Sequence, residues 1–183
     1  MNNVWGGYER MVEDGAFTWA KPFWEQPLWR WDAMFSAGVR AHYHASQLAA
    51  QTMVARRRGL IVNISTWAAQ KHIANVAYGV SKAATDKMTA DMADRTAAPW
   101  RHRRVALPGT GADGEGHGSG GVARPRRTRN RPSSSGGPCA ALAADADLLR
   151  HSGSVLVAAR LAAEHGFTDI DGKAPRPLTI ADV

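Results

Sequence analysis

The chain has 183 residues, 44% hydrophobic and 21% charged, a composition that predicts one globular domain and excludes a collagen-like or mostly disordered protein. Its net charge of +7 raises the question of a nucleic-acid partner. The one cysteine, Cys139, excludes an intrachain disulfide and a cysteine-cluster zinc site. No apolar run has the ~20 residues of a membrane helix and the start does not resemble a signal peptide, so we expect a cytoplasmic protein without a membrane partner.

The first block of the chain, residues 1–94, alternates between helical and strand patterns. Apolar residues recur at helical spacing from Leu28 to Met53, which predicts a long helix that ends at the basic residues before Gly59. The β-branched run from Leu60 to Ile64 predicts a strand buried on both faces. Residues 77–93 are again typical of a helix.

A basic segment, residues 95–138, interrupts this pattern. It contains nine Arg, no Lys, nine of the 18 Gly and five of the nine Pro, with Asp113 and Glu115 as its only acidic residues. With so few apolar side chains it cannot build a core, and we predict that it is a low-complexity, disordered insert. The whole net charge of the protein, +7, lies in this insert.

The tail, residues 139–183, returns to the earlier alternation. Its pattern predicts a helix over 140–149, a strand over 154–157 and a helix over 158–164. Since parallel strands need crossover helices, the predicted fold class is α/β, with a parallel sheet to which both the first block and the tail contribute.

Three residues of the first block could carry chemistry. Ser65 follows the predicted strand, and Tyr78 and Lys82 lie four residues apart, on one face of the next helix. An ammonium beside a phenol favours the phenolate and lowers the tyrosine pKa from about 10, while a serine hydroxyl could hold a substrate oxygen. Tyr and Lys at this spacing alone would more often be a surface tyrosine and a solvated lysine.

Together these residues resemble the short-chain dehydrogenase/reductase family. Ser65 and Tyr78 are 13 residues apart, and residues 78–82, Tyr-Gly-Val-Ser-Lys, are similar to the active-site motif of that family. Asn2 and Asn3 resemble its Asn-Asn-Ala-Gly turn, and Pro108 and Gly109 fall where it carries a Pro-Gly cofactor loop. Residues 166–172 are similar to the C-terminus of the subgroup represented by dehydrogenase/reductase member 1.

The resemblance implies a Rossmann-type fold and hydride exchange between NAD or NADP and a small carbonyl or alcohol substrate. It implies that Tyr78 is the acid/base, that Lys82 lowers its pKa and holds the nicotinamide ribose, and that Ser65 orients the carbonyl. The cofactor-binding residues that it implies are Asn2, Asn3, Tyr78, Lys82, Pro108 and Gly109. No metal is expected, and a homo-oligomer is compatible with the family.

The sequence departs from the family in three places. Gly38 stands 27 residues before Ser65, where many members carry a catalytic Asn. The glycine-rich phosphate turn and the first β-α-β units are not recognised in the chain, and the basic segment replaces the expected strand and substrate helices. From these departures we expect little or no dehydrogenase activity, which would make the chain a non-catalytic, pseudogene-like fragment.

The basic segment has two further interpretations. Reading GC-rich codons one nucleotide later across residues 95–124 permits a family-like sequence, so one hypothesis is a frameshifted gene whose frame is restored near Cys139. The other is a binder of single-stranded nucleic acid, in which Arg124 to Arg131 neutralise phosphates, although Trp100 is the only aromatic residue available for stacking. The G-x-G-x-x-G matches in this segment lack the flanking strand and helix that a phosphate loop needs.

Other candidates are assigned no site. His42 and His44 lie one residue apart on the predicted helix and so point to different faces, which does not suit a shared metal. The tryptophans between residues 19 and 31 are expected to pack under a loop.

Overall fold

The computed structural model describes residues 1–73, 75–94, 103–108, 133–168, 172–177 and 179–182. Gly109, the arginines from Arg124 to Arg131 and both glycine-rich matches lie outside these residues. The frameshift and nucleic-acid hypotheses therefore stay predictions. Within the described residues, no helix is both long and apolar enough to cross a membrane.

The fold is α/β, as the alternation of patterns predicts. The strands are β1 (Val12–Glu13), β2 (Ala16–Phe17), β3 (Leu60–Ser65) and β4 (Arg103–Pro108). The α-helices are α1 (Leu28–Ala33), α2 (Ala41–Ala55), α3 (Val76–Asp94), α4 (Ser133–Ala144) and α5 (Ala158–His165). Short 3-10 turns cover Phe23–Glu25, Trp67–Ala69, Leu148–His151 and Ile180–Asp182.

The predicted long helix forms as one helical stretch with a π-helical segment, Met34–Arg40, between α1 and α2. A π segment contains an extra residue in the turn and is often found at functional sites. The stretch ends at Arg56, and Arg57 then adopts a left-handed conformation with φ 51°. The chain therefore turns shortly before Gly59, as predicted, but through an arginine.

The central strand β3 is buried on both faces, which confirms the prediction from its β-branched run. It pairs in parallel with β4, and on its other edge Asn2 forms a parallel bridge with Asn63. Because side chains alternate along a strand, Val62 and Ile64 share one face, where they pack in a core with Leu142, Leu148 and Leu161 of the tail. The tail thus completes the core of the first block.

Two predictions about secondary structure are wrong. Residues 103–108 lie in the predicted disordered insert but form β4, because the open edge of β3 supplies partners for their backbone groups whatever their side chains. Residues 154–157 form no strand: among them only Val155 makes a β-bridge, and the stretch leads into α5. The tail helix also begins earlier than predicted, at Ser133, and ends at Ala144.

Candidate active site

Ser65 ends β3 at the carboxyl edge of the parallel pair, directly opposite Pro108, the last residue of β4. Ligands of open α/β sheets bind beyond this edge of the strands. The side chain of Ser65 is fully buried, and its hydroxyl lies near the carboxyl of Asp86 without a hydrogen bond of normal geometry to any described residue. A buried hydroxyl with no well-formed hydrogen bond is unusual and is available to a ligand oxygen.

Helix α3 supplies the tyrosine and the lysine. The Oδ1 atom of Asn75 accepts a hydrogen bond from the backbone N–H of Tyr78 at 3.1 Å and so satisfies one of the free donors of the first turn. One turn later, Nζ of Lys82 lies 5.7 Å from the centre of the Tyr78 ring and donates to the carbonyl of Ile64 at 3.4 Å. Lys82 therefore reaches the end of β3 beside Ser65, and the three residues meet at one edge of the sheet.

Aromatic rings cover this group. The ring centre of Tyr78 lies 5.6 Å from that of Trp5, 5.5 Å from that of Trp19 and 6.0 Å from that of Tyr8. The ammonium of Lys82 lies 3.8 Å from the centre of the Trp5 ring. As a result Tyr78 is only 4% exposed and Lys82 only 6%.

The segment that carries Tyr8 and Trp19 is held by a buried arginine. The guanidinium of Arg30 in α1 donates to the Oγ1 atom of Thr18 at 2.7 Å and to the carbonyl of Arg10 at 2.8 Å. It is fully buried, and burial lowers its pKa, with Glu13 opposing the effect. Through these bonds Arg30 fixes the hairpin of β1 and β2 against α1 and, with it, the cover of the site.

Of the residues predicted to bind the cofactor, Asn2 and Asn3 have different environments. The side-chain nitrogen of Asn2 donates to Oδ1 of Asn63 at 2.7 Å and to Oγ of Ser46 at 3.0 Å. It is thus already used within the protein, and what Asn2 does directly is to fix the start of the chain beside β3. Asn3 is exposed.

Two ionisable groups lie near Lys82. His42 of α2 is buried, and its pKa is lowered, first by this burial and then by the positive charge of Lys82. Burial raises the pKa of Asp86, one turn after Lys82 on α3, while the neighbouring Ser65 hydroxyl and Lys82 act in the opposite direction. The site therefore favours a neutral histidine and disfavours a charged aspartate.

The sequence pattern does not predict the aromatic cover of the site, since Trp19 is assigned no site and Trp5 no role. One signal is present in the sequence: a large residue at position 5, where the Asn-Asn-Ala-Gly turn of the family has glycine, and a small one at position 38, where many members carry asparagine. The structure joins them, since a Cβ atom at Gly38 would lie 2.5 Å from Cζ3 of Trp5.

Comparison with known proteins agrees with this geometry. The family model of the short chain dehydrogenases matches residues 3–105, which include β3 and α3 with Ser65, Tyr78 and Lys82. The chain belongs to the short-chain dehydrogenase family. Its Rossmann-type α/β fold follows from that membership, with β3 and α3 as the described strand and helix that carry the motif.

Individual members of the family place the chain more narrowly. It is 35% identical to human dehydrogenase/reductase SDR family member 1, over 94% of this chain and 58% of the human protein. The corresponding mouse protein is 34% identical, with the same coverage. Bovine L-xylulose reductase is 34% identical over 48% of the chain. The chain is thus similar to the member 1 proteins and spans about 58% of their length.

Proposed function

We propose that this chain carries the acid/base site of an oxidoreductase that exchanges a hydride between NAD or NADP and a small carbonyl or alcohol substrate. The observation that supports this most directly is the position of the Lys82 ammonium, 5.7 Å from the Tyr78 ring and 3.4 Å from the carbonyl that precedes Ser65. A positive charge held at this place favours the ionised form of a neighbouring phenol.

The side chains present suit the nicotinamide cofactor of the family. Ser65 has a buried hydroxyl with no hydrogen bond of normal geometry to a described residue, and Lys82 has three N–H donors at the carboxyl edge of the sheet. Lys82 and Tyr78 would hold the nicotinamide ribose, and the resemblance to the family assigns Asn3, Pro108 and Gly109 to the same cofactor. The amide of Asn2 would act indirectly, by keeping the adjoining turn in place.

The mechanism that follows divides the work among three side chains. A nicotinamide, when bound, would supply the hydride for the carbonyl carbon. The hydroxyl of Tyr78 donates its proton to the carbonyl oxygen, and the positive charge of Lys82 stabilises the phenolate left behind. The hydroxyl of Ser65 donates a hydrogen bond to the same oxygen and orients it.

The burial of these groups limits turnover. Tyr78 and Lys82 lie under Trp5, Trp19 and Tyr8, so a substrate can reach them only after the cover moves. Reaction also needs the reacting atoms within about 3.5 Å of one another. We propose that the 183-residue chain reduces carbonyl compounds slowly or not at all until this cover opens.

A paired substitution tests the function. A panel of aldehydes and ketones is incubated with NADH or NADPH, and oxidation of the nucleotide is followed at 340 nm for the wild type, Tyr78→Phe and Tyr43→Phe. Tyr43 is a matched control because it is half exposed on α2. We expect any activity to be lost in Tyr78→Phe and kept in Tyr43→Phe; full activity in Tyr78→Phe would refute the proposal.

A further inference from the structure

The indole of Trp5 lies directly over the ammonium group of Lys82. Its ring centre is 3.8 Å from Nζ, well within the roughly 6 Å at which a cation is attracted to the face of an aromatic ring. This attraction is strongest where water is excluded, and Lys82 is almost wholly buried. The indole therefore stabilises the charged form of the lysine, which burial by itself disfavours.

Gly38 provides the space for this ring. A Cβ atom at position 38 would lie 2.5 Å from Cζ3 and 2.8 Å from Cε3 of Trp5, closer than real Cβ contacts allow. The contact is with the far edge of the indole, which is rigid, so even alanine at position 38 would push the ring away from its present position. The small residue at 38 and the large one at 5 are therefore sterically matched.

The indole of Trp5 makes its contacts through the face and the edge of the ring. Among the described residues, its Nε1 atom is buried without a hydrogen-bond partner. The ring nevertheless meets Tyr78 edge to face, at 5.6 Å and 85°. Because the N–H of Trp5 has no partner among these residues, its favourable contacts are those of the ring. These contacts are with Lys82 and Tyr78.

We propose that Trp5 is a positioning residue, which keeps the Lys82 ammonium charged and fixed beside Tyr78 in the space that Gly38 leaves open. This inference rests on the proposed function of Tyr78 and Lys82 and adds a residue to it. Position 38 is the one at which many family members are expected to have an asparagine. In this chain Gly38 leaves that space to the indole of Trp5, so an aromatic face would replace a polar side chain.

The other charged groups around Lys82 do not take over this role. On its own helix, Lys82 faces Tyr78 and, one turn on, Asp86, whose charged form is disfavoured by burial. From α2 it is approached by His42, which burial and Lys82 itself keep neutral. At the end of β3 the carbonyl of Ile64 accepts a hydrogen bond from Nζ at 3.4 Å. Of the two rings beside the ammonium group, Trp5 is the nearer, with its centre 3.8 Å from Nζ against 5.7 Å for Tyr78.

The ionisation of Tyr78 in the absence of any cofactor tests the proposal. The chain has three tyrosines, so tyrosinate absorbance at 295 nm, recorded against Tyr78→Phe as the reference, isolates the titration of Tyr78. In Trp5→Leu the site stays apolar but loses the π face. We expect its tyrosinate midpoint to rise by about half a pH unit or more, because Lys82 then stabilises the phenolate less.

Matched variants separate this role from simple packing. Trp5→Phe keeps an aromatic face and should restore most of the wild-type midpoint, while Trp24→Leu removes an exposed tryptophan and should leave it unchanged. A midpoint in Trp5→Leu equal to the wild type would overturn the proposal. So would a shift in Trp5→Phe as large as that in Trp5→Leu.

A second measurement observes the contact in the wild-type protein and uses a variant only to assign the signal. Lysine labelled with carbon-13 at Cε gives one signal for each of the five lysines, and Lys82→Arg identifies that of Lys82. Ring current from Trp5 should shift its protons upfield of those of the exposed Lys87, and an unshifted Lys82 signal would refute the contact. Neither measurement needs turnover, so failure of the reductase assay leaves this result standing.

Discussion

Asn2 and Asn63 are joined by a side-chain hydrogen bond of 2.7 Å across 61 residues of sequence. Asn63 also donates through Nδ2 to Oγ1 of Thr89 at 2.8 Å, so one buried amide connects the start of the chain, β3 and α3. It thereby links the segment that carries Trp5 to the helix that carries Tyr78. Four predictions follow from this and from the other buried polar groups.

Substituting Asn63 by leucine should destabilise the fold by about 1–3 kcal/mol. The change removes both hydrogen bonds of the Asn63 amide, each worth about 0.5–1.5 kcal/mol, while Asn2 keeps its bond to Ser46 and Thr89 its bond to the Thr85 carbonyl. Urea unfolding followed by circular dichroism measures the effect. Asn3→Leu, at an exposed position, is the control and should change stability by less than about 0.5 kcal/mol. Equal stability of the two variants would contradict the assigned role of Asn63.

Replacing Arg30 by methionine should release the cover of the site. The variant loses the hydrogen bonds to Thr18 and to the carbonyl of Arg10, with an expected cost of about 2 kcal/mol or more. Hydrogen exchange measured by mass spectrometry should show faster exchange in residues 8–19 than in β3. Arg40→Met, at an exposed site of the π-helical segment, should exchange like the wild type. Unchanged protection of residues 8–19 in Arg30→Met would rule out this anchoring role.

The neutral state of His42 predicts a loss of stability in acid. Its pKa is lowered in the folded protein, first by burial and then by Lys82, so below about pH 6.5 the unfolded chain binds a proton that the folded chain does not. Stability should therefore fall as the pH drops from 7 to 5, by up to about 1.4 kcal/mol per pH unit for one proton. In His42→Leu this slope should flatten, whereas His44→Leu, at an exposed position of the same helix, should keep it. An unaltered slope in His42→Leu would show that another group titrates.

The contribution of Asp86 to stability should have the opposite pH dependence to that of His42. Its pKa is raised by burial, so the folded chain holds a proton more tightly than the unfolded chain, and stability falls as the pH rises from about 4 through the folded-state pKa. Asp86→Asn should therefore be more stable than the wild type at pH 7, with the difference shrinking toward pH 4. Asp91→Asn removes an exposed partner of Lys87 and should show no such gain. A destabilised Asp86→Asn at pH 7 would mean that attraction to Lys82 outweighs burial.

Local pattern in the sequence was enough to predict the elements that carry the motif. Strand β3 is recognisable from its β-branched run and α3 from the helical pattern of residues 77–93, because both signals arise within a few residues of each other. The spacing of Ser65, Tyr78 and Lys82 then led to the family, which the match over residues 3–105 shows. The different environments of His42, buried, and His44, exposed, also follow from helical geometry alone.

The tertiary structure decided what depends on contacts between distant residues. Strand β4 forms in a glycine- and arginine-rich region because β3 offers it an edge, and residues 154–157 form no strand despite their valines. The burial of Arg30 and the placement of Trp5 over Lys82 each need partners many residues away. Composition and periodicity describe only neighbours along the chain, whereas the steric match between Gly38 and Trp5 exists only once the chain has brought them together.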